Sequence, residues 1–178
     1  MPAIKSQLIP LISAVVCVVL QIVVAPMISL FSVVPNFIVA FVIVLSIMRK
    51  PDSTYGYAFV LGLISDLLGS GPVGLTSLLL LLISFALSRG FEVMDKSSLP
   101  MSLIASAVSL FAFLLVYVIV LLITGYQALF LELFVGRVIP EVVYDSVIAA
   151  IILVITIKLG LSAEQTDAWT VSSGRSFR

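Results

Sequence analysis

The sequence predicts an all-α integral membrane protein, a bundle of six spanning helices. Three observations carry that reading. Hydrophobic residues make up 62% of the 178 positions and charged residues only 10%, against about 25% charged in a soluble domain. A soluble fold this small has too much surface for its volume to hide that apolar matter from water. The second observation is spacing: the few charges are separated by apolar runs long enough for one or two membrane crossings. The third is the one-sided placement of the basic residues once those crossings are counted.

A helix crosses the hydrocarbon core with roughly 20 apolar residues. No charge lies between Lys5 and Arg49. That run is too long for one crossing and fits two, with Pro26, Pro35 and Asn36 as punctuation. Span one covers about 7–25 and span two about 34–48, with the turn near Met27 to Val34. The first run is expected to be retained and not cleaved as a signal, because Pro26 directly follows the best small-residue site, Ala25.

Between Asp52 and Arg89 the one charge is Asp66. A single helix there would reach about 55 Å at 1.5 Å per residue, and Gly69-Ser70-Gly71-Pro72 interrupts it. Two short spans follow, 55–68 and 73–88, which local bilayer thinning would accommodate. Span five is 100–124, closed by Gly125. Tyr126–Gly136 carries Glu132 among Leu and Phe and reads as a segment lying in the membrane interface. Span six is 138–161. Residues 1–161 thus make a single six-helix domain, and 162–178 a flexible cytoplasmic tail.

Six spans put both termini on one side. Lys5, Arg49, Lys50, Arg89, Lys96, Lys158, Arg175 and Arg178 then share that side, and Arg137 stands alone on the other. The positive-inside rule makes the shared side cytoplasmic.

The same residues exclude most chemistry. There is no His, which removes Ser-His and Cys-His catalysis and His-ligated zinc. Cys17 is the sole cysteine, in an apolar run, and reads as an inert membrane-helix residue. The net charge of zero leaves no basic stripe for nucleic acid. Gly69–Gly74 lacks the Lys-Ser/Thr ending of a phosphate loop. No span repeats Arg as a voltage sensor does. We expect no enzyme, no cofactor and no metal.

Two sets of polar residues need an account. Asp66 lies within an apolar span, where an acid costs at least about 2.5–3.5 kcal/mol on insertion scales. Gly62, Ser65 and Gly69 share its side of the helix, a small-residue stripe on which another helix packs closely. Asp66 therefore faces the bundle interior, with Thr76, Ser77 or span six as partners. It reads either as a proton or ion relay or, preferably, as a hydrogen-bonding residue fixing the hairpin of spans three and four. The second set is Arg137, Glu141, Tyr144 and Asp145 at the start of span six. Successive charges four apart stack on one face, and Pro140 suits a first turn. This set reads equally as a polar groove for a ligand or partner and as an interfacial start with snorkelling charges. Asp145 lies roughly 10 Å along the helix from Val138, too deep for simple snorkelling. Lys158 snorkels, Arg49-Lys50-Pro51-Asp52 is a topology-setting turn, and Arg89, Glu92, Asp95 and Lys96 form a solvated loop or a docking surface.

The stretch Pro35-Asn36-Phe37 through Gly90, about a third of the chain, resembles the MreD family of rod shape-determining membrane proteins. Pro35, Asn36 and Phe37 open an aliphatic span. Gly56, Phe59, Gly62, Leu63, Asp66 and Leu67 follow, then Gly69, Pro72, Gly74 and Leu75, in similar order and spacing. The resemblance implies a non-catalytic component of the bacterial elongation machinery in the cell (inner) membrane. Its direct partner would be MreC, a single-span protein with an outer domain. Through the complex it would meet MreB, RodA and the elongation transpeptidase in lateral peptidoglycan synthesis. The family is similar in fold to the S components of energy-coupling-factor vitamin transporters, so a substrate-binding S component is the alternative. Span one offers Ala14 and Ala25 but lacks the Ala-x-x-x-Ala spacing common in those components. The resemblance assigns no role to Arg137, Glu141 or Asp145.

Overall fold

The computed structural model describes residues 2–29, 33–49, 51–69, 71–93, 99–125 and 130–158. Among them every regular element is helical: α1 (Pro2–Val23), a 3₁₀ turn (Ala25–Ile28), α2 (Phe37–Met48), α3 (Pro51–Leu68), α4 (Leu75–Val93), α5 (Leu99–Ile123), α6 (Phe130–Leu133), a π-turn (Phe134–Val138) and α7 (Ile139–Lys158). The expected tail, 162–178, lies outside the described residues, as do Lys50, Asp95 and Lys96.

The short α2 is the centre of the bundle. Its sequence, FIVAFVIVLSIM, has no polar face, and every residue from Ile38 to Ile47 is buried. A helix apolar all round must be surrounded, and α2 packs against α1, α3, α4, α5 and α7. Its one hydroxyl, Ser46, bonds to its own Val42 carbonyl at 2.7 Å and to Ser84 of α4 at 2.8 Å. The outer helices turn Leu, Val, Ile and Phe outward along their length, for example Leu11, Val60, Leu82, Val108 and Val147. Two helices, Leu99–Ile123 and Phe134–Lys158, are long and apolar enough to cross a membrane by themselves.

Several boundaries differ from the sequence reading. The sequence predicts span two from residue 34, whereas α2 begins at Phe37. Asn36 is its N-cap, accepting from the Val39 N–H at 3.1 Å, and Val34 to Asn36 stay non-helical. Span three starts earlier than Tyr55, because Pro51 opens the helix with its φ already helical and no N–H to satisfy. Span four starts at Leu75, after Gly74 at φ +96°, a value that glycine adopts without strain, and it runs on to Val93.

The largest change concerns 130–138; the start of the expected segment, 126–129, lies outside the described residues. No break sets the end of the expected segment apart from the expected span six: residues 130–158 form one continuous helical run with a π-turn inside it. Pro140 therefore sits inside a helix and not in a first turn. Proline lacks the N–H for the regular ladder and clashes with the carbonyl four residues back. The run absorbs this by widening just before it, where the Ile139 N–H bonds to the Phe134 carbonyl, five residues back.

Candidate functional site

A cavity of about 590 Å³ opens at the end of the bundle where α3 turns into α4. Its wall is built from six parts of the chain: Gln21 of α1, Asn36, the end of α3 from Ser65 to Gly69, Thr76 of α4, Phe113 and Tyr117 of α5, and Arg137 and Glu141 around the π-turn. Asn36, Ser65, Asp66, Gly69, Pro72, Arg137 and Glu141, chosen from distant parts of the sequence, all line it.

Asp66 is buried, 5% exposed, and its carboxylate accepts three backbone hydrogen bonds. Thr76 N donates to Oδ1 at 3.0 Å, and Gly74 N and Ser77 N donate to Oδ2 at 2.8 and 3.3 Å. The first N–H groups of a helix have no partner within it. Asp66 supplies them across the hairpin, at the positive end of the α4 dipole. Thr76 and Ser77 are the partners expected from span four, and they bind through their backbone N–H groups.

The small-residue stripe divides. Gly62 meets α4 so closely that a Cβ there would stand 2.5 Å from the Ser77 Cα. Ser65 and Gly69 face the cavity and not a helix. At Gly71 a Cβ would run into the Tyr117 hydroxyl. The α3–α4 seam is closed further by Ser77 Oγ, which donates to the Phe59 carbonyl at 3.0 Å.

The second polar set also divides. Arg137 Nε donates to Glu141 Oε2 at 3.2 Å, with the arginine side chain 48% exposed and the glutamate 9%. Both line the cavity. Asp145 and Tyr144 do not. Asp145, 1% exposed, accepts from the Asn36 N–H at 2.9 Å. Tyr144 Oη donates to the Ile28 carbonyl at 2.7 Å. Gln21 holds the same non-helical stretch from the other side: its Nε2 donates to the Pro35 carbonyl at 3.1 Å and its Oε1 accepts from Phe37 N at 2.7 Å. Irregular backbone inside an apolar bundle must have its polar groups satisfied by the protein. Gln21 and Asp145 do this for the Pro35-Asn36-Phe37 segment.

Sequence reasoning missed Gln21, Phe113 and Tyr117. Gln21 was legible in principle as an amide deep in the apolar run that follows Gln7, since polar side chains there usually bond across helices. Phe113 and Tyr117 carry no local cue. Of the basic residues expected on the cytoplasmic side, Arg49 is buried and Arg89 lies 5.5 Å from the centroid of the Phe85 ring.

A family model described as rod shape-determining protein MreD matches residues 3–161. The chain belongs to the MreD family. The MreD match spans the whole helical bundle, including the last third, where the motif resemblance had assigned nothing. MreD proteins are membrane proteins of a structural, shape-determining family, in keeping with the two long apolar helices. Neither a curated protein nor a solved structure matches the chain.

Proposed function

We propose that this MreD-family chain is a non-catalytic scaffold of the bacterial elongation machinery. It sits in the cell (inner) membrane as a six-span protein with both termini cytoplasmic. It binds the transmembrane helix of MreC directly and through that complex supports MreB, RodA and the elongation transpeptidase in lateral peptidoglycan synthesis. Single residues at Asp66 and Asp145 serve to hold the bundle in shape.

One observation supports a helix-binding role above all. An apolar groove of about 510 Å³ runs between α1 and α3, walled by Leu11, Val15 and Val18 on one side and Gly56, Val60 and Ile64 on the other. Gly56 lies within α3, where glycine costs about 1 kcal/mol relative to alanine. A Cβ at Gly56 would meet nothing within 4 Å, so the bundle's own packing does not require it. In lipid, helices associate through close backbone approach at small residues, and Gly56 leaves that approach open in the groove.

The test is co-purification with MreC in mild detergent, comparing wild type with Gly56→Leu. We expect the leucine variant to fold normally and to lose MreC by roughly tenfold, about 1.4 kcal/mol. Wild-type recovery of MreC by Gly56→Leu would sink the groove assignment. Recovery of a transporter coupling subunit with two ATPases would replace the scaffold by the S-component alternative.

A further inference from the structure

The cavity beside Asp66 has polar groups that the fold leaves unused. Asp66 itself is saturated by three N–H donors. Glu141 is not: Oε2 takes the Arg137 bond, and Oε1 has no partner among the described residues although the residue is only 7% exposed. The Tyr117 hydroxyl has none either, and it lies within coulombic range of Arg137, Asp66 and Glu141. The two terminal nitrogens of Arg137 are likewise unpaired among the described residues, and its side chain is half exposed at the rim. These three groups, a carboxylate oxygen, a phenol and a half-exposed guanidinium, converge on one cavity of about 590 Å³ and are free to share a partner that enters it. That volume falls within the range of small-ligand pockets, about 300–1,000 Å³.

The lining specifies the chemistry. Two carboxyl groups outnumber one guanidinium, so the inner wall favours a cationic donor. Phe113 and Tyr117 line it too, stacked on each other with centroids 6.0 Å apart and planes at 24°, and aromatic rings attract cations. Arg137 at the rim favours an anionic group, phosphate above all. Val34 and Leu68, 44% and 47% exposed, form an apolar lip beside it. An ammonium inside, a phosphate at the rim and apolar matter beyond describe one ligand.

We propose that this cavity binds a zwitterionic ammonium–phosphate group, that of an ethanolamine phospholipid. The ammonium donates to Glu141 Oε1 and to the Tyr117 hydroxyl, and the phosphate lies on the Arg137 guanidinium. This site is separate from the α1–α3 groove, and it stands or falls independently of MreC binding.

Native mass spectrometry of the full chain, released from detergent with equal amounts of phosphatidylethanolamine, phosphatidylcholine and phosphatidylglycerol, tests the proposal. Phosphatidylethanolamine should be retained roughly tenfold over the other two, the scale of one hydrogen bond to a charged group. Glu141→Gln should abolish that preference, and Tyr117→Phe, which removes only a hydroxyl, should reduce it without lowering heat stability. Equal retention of the three lipids, or a preference that survives Glu141→Gln, overturns the proposal. Free phosphoethanolamine separates the sources. A lipid that stays bound against millimolar headgroup supports the assignment, while displacement by micromolar headgroup makes the ligand a soluble zwitterion and overturns the lipid.

Discussion

Replacing Asp66 by leucine should strip the cap from α4. In the native bundle three N–H groups point at one carboxylate, those of Gly74, Thr76 and Ser77. Loss of an ordinary N-cap costs about 0.5–2 kcal/mol. Here the donors of Thr76 and Ser77 are buried, with exposures of 5% and 2%, and a buried unsatisfied donor costs about 1–3 kcal/mol. Water entering the cavity rescues the Thr76 side in part, since Thr76 lines it. The sum is about 3 kcal/mol, and at about 2–4 °C per kcal/mol for a chain of this size the melting temperature falls by roughly 6–12 °C. An opposite effect acts at insertion, where leucine is favoured over aspartate by about 3 kcal/mol. The assay must therefore read folding after insertion and not membrane yield. Detergent-solubilised protein is heated, and the monodisperse fraction remaining is measured by size-exclusion chromatography. Asp66→Asn keeps one acceptor and should lose about half as much. An Asp66→Leu protein melting within about 2 °C of wild type would refute the capping argument.

The other predictions use the same measurement. Gly62→Val places a side chain against the Ser77 backbone, 2.5 Å from its Cα at the nearest; overpacking of this kind costs about 1–3 kcal/mol, and an unchanged melting temperature would mean that α3 and α4 are free to separate. Asp145→Leu strands the Asn36 N–H and should cost about 1–3 kcal/mol, whereas Asp145→Asn keeps an acceptor and should stay close to wild type; equal loss in both would point to a role for the charge. Gln21→Leu removes both bonds to the Pro35-Asn36-Phe37 segment and should destabilise by about 2 kcal/mol, with protease sensitivity rising in that segment first.

How far the candidate site was legible depends on the residue. Asp66 declared itself, because an acid in an apolar span needs a partner wherever the helix packs. Its partner did not, because backbone N–H groups carry no sequence mark. Arg137 and Glu141 pair at 3.2 Å as their spacing of four allows. Asp145 has the same spacing from Glu141, yet its carboxylate turns to the Asn36 N–H. The choice between these two fates belongs to α2, whose start lies more than a hundred positions earlier. Pro140 was misread because a proline near an apolar run suits a helix start as well as a π-widened interior.

The residues alone determined the class of this protein and the approximate place of most of its helices. With 62% hydrophobic and 10% charged residues, transfer free energy leaves no soluble alternative, and glycine and proline placed the breaks through purely local conformational limits. The ordered motif around Asp66 also pointed to the MreD family, which the match over residues 3–161 shows. Only the tertiary structure decided that α2 lies at the centre, that Gln21 and Asp145 jointly hold its entrance, and that Glu141, Arg137 and Tyr117 meet across one cavity. The reason is the uniformity of membrane helices. When nearly every face is apolar, hydrophobicity no longer tells inside from outside, and the arrangement rests on small contacts and polar bonds between distant residues.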